Sequence, residues 1–191
     1  MAELRVVRSE LVLGGQKSGK TVRAESLAAT WLDASPQHRA VYIATAQAWD
    51  EDMRERIWQH RRRRAESVPR MQTVEEPLEL AHAIGRHSRA DTLIVVDCLT
   101  LWLTARLMPS LPGDASNGTT APADTIANAL RACAGPIVLI SNEIGSDAVP
   151  AGHDTRAFLE ALSGLNQQAS AACERVTLMS AGQALVLKGA S

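Results

Sequence analysis

Apolar, β-branched runs recur along the chain at Leu11–Leu13, Ala40–Ile43, Thr92–Val96, Ile137–Ile140, Val176–Met179 and Ala184–Leu187, and most intervals between them carry helical spacing. Such continuous runs suit strands buried on both faces, so the alternation predicts an α/β fold with a mostly parallel sheet and helices on both sides. Only Ser180-Ala181-Gly182-Gln183 separates the last two runs, which predicts a C-terminal hairpin and therefore an antiparallel edge. After the first run, Val22–Leu32 reads as a helix. Its stripe is Ala24, Leu27, Ala28, Trp31 and Leu32, and no Gly or Pro interrupts it. The stretch from Pro109 to Pro122 is rich in Pro, Gly, Ser, Asn and Thr and reads as a surface loop. Its composition leaves a lid, an oligomer contact and a disordered insertion open.

At 191 residues the pattern suits one domain spanning 1–191. A formal net charge of −1 excludes a generally basic nucleic-acid coat, so any basic surface has to be local. Cys98, Cys133 and Cys173 are odd in number and irregularly spaced, which suggests neither a disulfide framework nor a zinc site. There is no run of signal-peptide form and no apolar stretch of the roughly 20 residues a membrane span needs. A cytoplasmic protein is expected.

The first strand leads into Gly14-Gly15-Gln16-Lys17-Ser18-Gly19-Lys20-Thr21, which matches the phosphate-binding loop G-x-x-x-x-G-K-[ST] between a strand and a helix. The glycines let the backbone wrap closely around phosphates, and the helix start adds a positive cradle. Lys20 is expected to reach the β and γ phosphates, and the Thr21 hydroxyl to coordinate Mg²⁺. The chain is therefore expected to bind a nucleoside triphosphate on a P-loop NTPase fold.

Asp97 ends the buried run Thr92–Val96, where a carboxylate either completes the Mg²⁺ site or caps the helix beginning near Leu99. Tyr42-Ile43-Ala44-Thr45-Ala46 reads as a strand turning at its carboxyl end, with Thr45 expected to face the nucleotide. Residues 50–64 follow as a helix, acidic at its start and basic at its end, which suits the helix dipole. Met53, Ile57, His60 and Arg64 share one face and so direct His60 towards the protein side. A histidine beside Arg61, Arg62, Arg63 and Arg64 is suited to attack a phosphorus atom: like-charge repulsion keeps the imidazole neutral while the guanidiniums offset phosphate charge. Spacing alone favours the plainer reading, a partly buried histidine at the end of a solvated basic helix. A RecA-like nucleic-acid-binding ATPase would use the same arginines on a phosphate backbone, but the run lacks interleaved aromatics. A small-molecule kinase without nucleotidyl transfer would leave His60 dispensable.

Taken in order, the P-loop, Tyr42–Ala46, Asp50–Met53 continuing to Arg56–Arg61, Thr73–Pro77, Val96–Trp102 and Ser141–Gly145 closely resemble the bifunctional adenosylcobinamide kinase / adenosylcobinamide-phosphate guanylyltransferases of cobalamin biosynthesis. The likeness spans nearly the whole chain and implies a RecA-like P-loop fold. It implies two reactions with ATP and GTP as substrates and Mg²⁺ as cofactor. The first phosphorylates the aminopropanol hydroxyl of adenosylcobinamide; the second transfers GMP from GTP to that phosphate through a guanylylated histidine. By this resemblance His60 and Lys20 are catalytic. Ala44, Thr45, Ala46, the Arg61–Arg64 run, Glu75 and Asp97 join the P-loop as nucleotide-binding positions, with neighbouring Glu76 the alternative to Glu75. Asn142 and Glu143 lie where a strand ends, suited either to a ligand or to a turn. Where the family has a small residue, Arg and Ser in its P-loop, this chain has Gln16-Lys17-Ser18, which keeps the positive charge without bidentate geometry. The resemblance also implies a homotrimer, with neither nucleic acid nor membrane as partner.

Overall fold

The computed structural model describes residues 4–48, 51–107, 122–144 and 153–190. Seven strands form one sheet: β1 Ser9–Gly14, β2 Arg39–Ala44, β3 Met71–Glu75, β4 Thr92–Asp97, β5 Ile137–Asn142, β6 Arg175–Ser180 and β7 Gln183–Lys188. Their order is β3-β2-β4-β5-β1-β6-β7, parallel throughout except for β7, which pairs antiparallel with β6. The parallel sheet, the helices and the C-terminal antiparallel hairpin are those the apolar pattern predicts. The hairpin turn is Ala181-Gly182 with φ of 48° and 78°. Two positive-φ residues between strands match the right-handed strand twist, and glycine adopts that geometry without a Cβ clash.

Alternating residues of each central strand enter two separate cores. Leu11, Leu13, Val41, Ile43, Ile94, Val96, Ile137 and Leu139 face one side. There they meet α3 Leu80–His87, α4 Leu99–Leu107, α5 Pro122–Ala132 and α6 His153–Ala172. Val12, Ala40, Tyr42, Leu93, Val95, Val138 and Ile140 face the other. That side is covered by Ala24, Leu27, Ala28 and Leu32 of α1 Lys20–Ala34, which is the stripe expected from spacing with Trp31 at its half-buried margin. A fully buried Leu or Ile contributes about 1.5–3 kcal/mol, so these two layers carry most of the stability.

The strand β3 lies outside the apolar runs. Met71-Gln72-Thr73-Val74-Glu75 is largely polar and sits at the sheet edge, where only one side pairs. It is reached from β2 through α2 Glu51–Ser67. Of the loop expected over 109–122, only Pro122 at the start of α5 lies within the described residues; Asp50 and Gly145 also lie outside them.

Because β5 separates β1 from β4, the carboxyl ends of three adjacent strands are brought level. Gly14 pairs with Asn142 and Asp97 with Ile140. Ligands of open parallel sheets bind at this edge.

Candidate active site

The chain leaves β1 at Gly14 with φ 152°. A Cβ there would run into the Met179 carbonyl and lie 2.5 Å from Ser18 Oγ, so only glycine fits this departure. The loop is held on three sides: Glu143 N–H donates to Gly14 O at 3.1 Å, Gly182 N–H to Ser18 O at 3.0 Å, and Ser18 N–H to Gly15 O at 3.3 Å. Lys20 begins α1 and folds back across the loop, its Nζ donating to Gly14 O at 2.8 Å and Gly15 O at 2.6 Å. Burial lowers its pKa, opposed by the nearby Cys98 and Asp97. Its ammonium is thus parked on acceptors that a phosphate would replace.

On the next residue, Thr21 Oγ1 donates to Asp97 Oδ2 at 3.2 Å. The Tyr42 hydroxyl donates to the same Oδ2. Burial first, and then the Asp97 charge, raise the Tyr42 pKa well above 10.0, so it stays a donor. Both hydroxyls that donate to Asp97 come from α1 and β2, not from the start of α4. Asp97 is left facing the P-loop. Thr21 and Asp97 offer one hydroxyl and one carboxylate, and no cluster of three His, Cys, Asp or Glu occurs among the described residues. These hard oxygen donors fit a magnesium ion that keeps waters and phosphates as its other ligands, and do not fit a full protein cage.

Thr45 is completely buried. Its hydroxyl donates to Cys98 O at 2.7 Å and accepts from Cys98 N–H at 2.8 Å, so it ties the end of β2 to the segment after Asp97 rather than opening towards a ligand. Ala44 and Ala46 flank it, half-buried. Glu76 Oε1 accepts the N–H groups of Leu78 and Glu79 at 3.1 and 2.9 Å, which makes it the turn-capping carboxylate before α3. Glu75 points elsewhere, pairing with Arg61 of α2.

The basic half of α2 spreads its cations over several partners. Arg62 pairs with Glu66 at 3.2 Å along the helix, and Arg63 lies 3.5 Å from Glu25 of α1. Arg64 is buried: its guanidinium stacks 3.7 Å from the Tyr42 ring centroid, and its Nε donates to Thr73 Oγ1 at 3.2 Å. His60 is exposed, contrary to the inward placement its spacing predicts, although Arg64 on the same stripe is buried and Met53 and Ile57 are half-buried. Its surroundings still act on it. Partial desolvation, then the charges of Arg63 and Arg64, lower its pKa below 6.5, while Asp97 and Glu25 act in the opposite direction. Sequence reasoning does not single out Tyr42 or Glu25 as site residues; the available signals are that Tyr42 is the chain's single tyrosine and that Glu25 follows Thr21 at the helical spacing i, i+4.

The P-loop and the Thr21–Asp97 hydroxyl–carboxylate pair thus stand at one sheet edge, and the Asp97 charge reaches His60. The family model described as cobinamide kinase / cobinamide phosphate guanyltransferase matches residues 10–187. The chain belongs to this family. The bifunctional adenosylcobalamin biosynthesis protein CobP of Pseudomonas aeruginosa is 40% identical over 181 residues, covering 94% of this chain and 97% of that protein. The corresponding protein CobU of Escherichia coli is 30% identical over 188 residues, covering 93% and 98%. No helix among the described residues is long and apolar enough to cross a membrane.

Proposed function

We propose that one P-loop, in a single domain, serves both reactions of the family: phosphorylation of adenosylcobinamide, and transfer of GMP from GTP to the resulting phosphate in cobalamin biosynthesis. In the first, the substrate hydroxyl oxygen attacks the γ phosphorus, loses its proton and releases a nucleoside diphosphate. Lys20 turns from the Gly14 and Gly15 carbonyls to the β and γ oxygens, and the backbone N–H groups of 14–21 hold the triphosphate. Thr21 and Asp97 would hold Mg²⁺, which offsets phosphate charge when bound. In the second, a nitrogen of neutral His60 attacks the α phosphorus of GTP. The bond to the β-phosphate oxygen breaks, pyrophosphate leaves, and a phosphoramidate forms. An oxygen of adenosylcobinamide phosphate then attacks the same phosphorus and displaces the imidazole.

The observation that carries this reading is His60, whose pKa is lowered by partial desolvation and then by the charges of Arg63 and Arg64, and which lies within the field of Asp97. Arg61, Arg62, Ala44, Ala46 and Glu75 are proposed to complete the nucleotide surround, with Thr45 beneath them tying the end of β2 to the segment after Asp97. A homotrimer is proposed on family resemblance and a cytoplasmic location on the three free cysteines; light scattering at working concentration tests the trimer mass.

The deciding experiment treats the purified protein with GTP labelled at the α phosphate. Covalent label stable in alkali and released by acid is expected, and His60→Ala should abolish it while nucleotide binding and adenosylcobinamide phosphorylation persist. Label retained at the wild-type rate would leave a kinase whose transfer, if any, uses another residue.

A further inference from the structure

Glu25 is a buried carboxylate that neither proposed reaction uses. It lies on α1 only 5% exposed, and its partners come from α2. Ser67 Oγ donates to Oε2 at 3.3 Å, and the Arg63 guanidinium stands 3.5 Å from Oε1, which accepts no hydrogen bond. A charge taken out of water depends strongly on the one cation it keeps, so Glu25 and Arg63 constrain each other. Beside this pair, Arg64 is buried against the Tyr42 ring and donates to Thr73. His60, Arg63, Arg64 and Ser67 stand at i, i+3, i+4 and i+7, a single face of α2. The residues that seat the helix are therefore on the same side as the histidine.

We infer that Glu25 is a positioning residue: through Arg63 and Ser67 it fixes the rotation of α2 so that His60 faces the P-loop, with Arg64 on Tyr42 as the second anchor. This rests on the reading of His60 as the guanylyl acceptor. Attack on phosphorus needs the nitrogen in line and within about 3–3.5 Å, and a misplacement of about 1 Å costs on the order of a hundredfold in rate. Phosphorylation of adenosylcobinamide makes no use of His60. The two activities thus respond differently to a loosened α2.

The test uses the full chain carrying Glu25→Gln, which keeps the side-chain shape and a partner for Ser67 but removes the charge facing Arg63. Labelling from α-labelled GTP should slow roughly 10- to 100-fold in kcat, while KM for GTP and the phosphorylation rate stay within about twofold. Ser67→Ala, a milder change, should show the same split with a smaller loss. Adding Arg63→Gln to Glu25→Gln removes the unpaired charge: melting temperature should recover while labelling stays slow. Recovery of both, a parallel fall of both activities, or unchanged labelling in Glu25→Gln would each overturn the inference. His60→Ala run alongside separates the two failures. If it still labels, the acceptor reading falls and the positioning role with it; if it is silent while Glu25→Gln labels normally, only the positioning role falls.

Discussion

At the residue scale, the site is a problem of which nucleophile is available. Cys98 lies beside Lys20 and Asp97, but burial and then the Asp97 charge push its thiol up to about 12, so it stays protonated. His60 moves the other way. Desolvation leads and Arg63 follows in lowering its pKa below 6.5, so the folded protein releases this proton at a lower pH than free imidazole does. Attack requires the neutral ring. Guanylylation should therefore rise with pH through a midpoint below 6.5 and level off above it. Arg63→Gln removes one repelling charge and should move that midpoint upward, whatever it does to the maximal rate. A rate profile measured by covalent labelling, with a midpoint above 6.5 or unmoved by the variant, would contradict the neutral-nucleophile role of His60.

At the element scale, legibility follows chemical continuity along the chain. Each central strand announces itself because both its faces are buried, and the P-loop because its residues are contiguous. β3 escapes the apolar pattern because an edge strand with one paired side needs few apolar residues, and Met71 and Val74 alone do not make a run. α2 is legible as a helix, and its spacing puts His60 and Arg64 inward together, yet only Arg64 is buried: that burial depends on the Tyr42 ring of β2, a partner distant in sequence. Glu25 is hidden for the same reason, since its partner Arg63 is distant along the chain. The C-terminal hairpin is legible from its turn, and that turn holds a testable strain. Ala181 sits at φ 48°, where a Cβ is disfavoured and Asn is better tolerated. Ala181→Asn should raise stability by about 0.5–1 kcal/mol, read as a higher melting temperature. Because Gly182 N–H holds Ser18 O, the same variant should leave GTP binding intact only if the turn geometry is preserved.

At the scale of the whole molecule, the P-loop strand is joined to both ends of the chain by a charge network below the site. Glu10 of β1 is 1% exposed, and it accepts from Arg23 Nε of α1 at 2.8 Å, Thr177 Oγ1 of β6 at 2.7 Å and Arg175 of β6 at 3.4 Å. Arg175 in turn donates to Arg5 O at 2.7 Å. The apolar run begins at Leu11, so Glu10 falls outside the strand that the pattern predicts and its role is invisible there. Two guanidiniums share one carboxylate, both nearly without solvent: Arg23 is 6% and Arg175 3% exposed. Glu10→Gln keeps the shape and leaves both cations uncompensated, which should destabilise the fold by about 3–5 kcal/mol. For a chain of this size each kcal/mol lowers the melting temperature by about 2–4 °C, so thermal denaturation should show a fall of at least about 6 °C. The loss belongs to unpaired charge rather than to lost attraction. Replacing the set together, Glu10→Leu with Arg23→Met and Arg175→Met, should therefore recover much of the melting temperature, because apolar side chains of similar volume need no counter-charge. If the triple variant melts lower than Glu10→Gln, the network contributes net stabilisation to the fold, and desolvation of the charges is not what dominates its energetics.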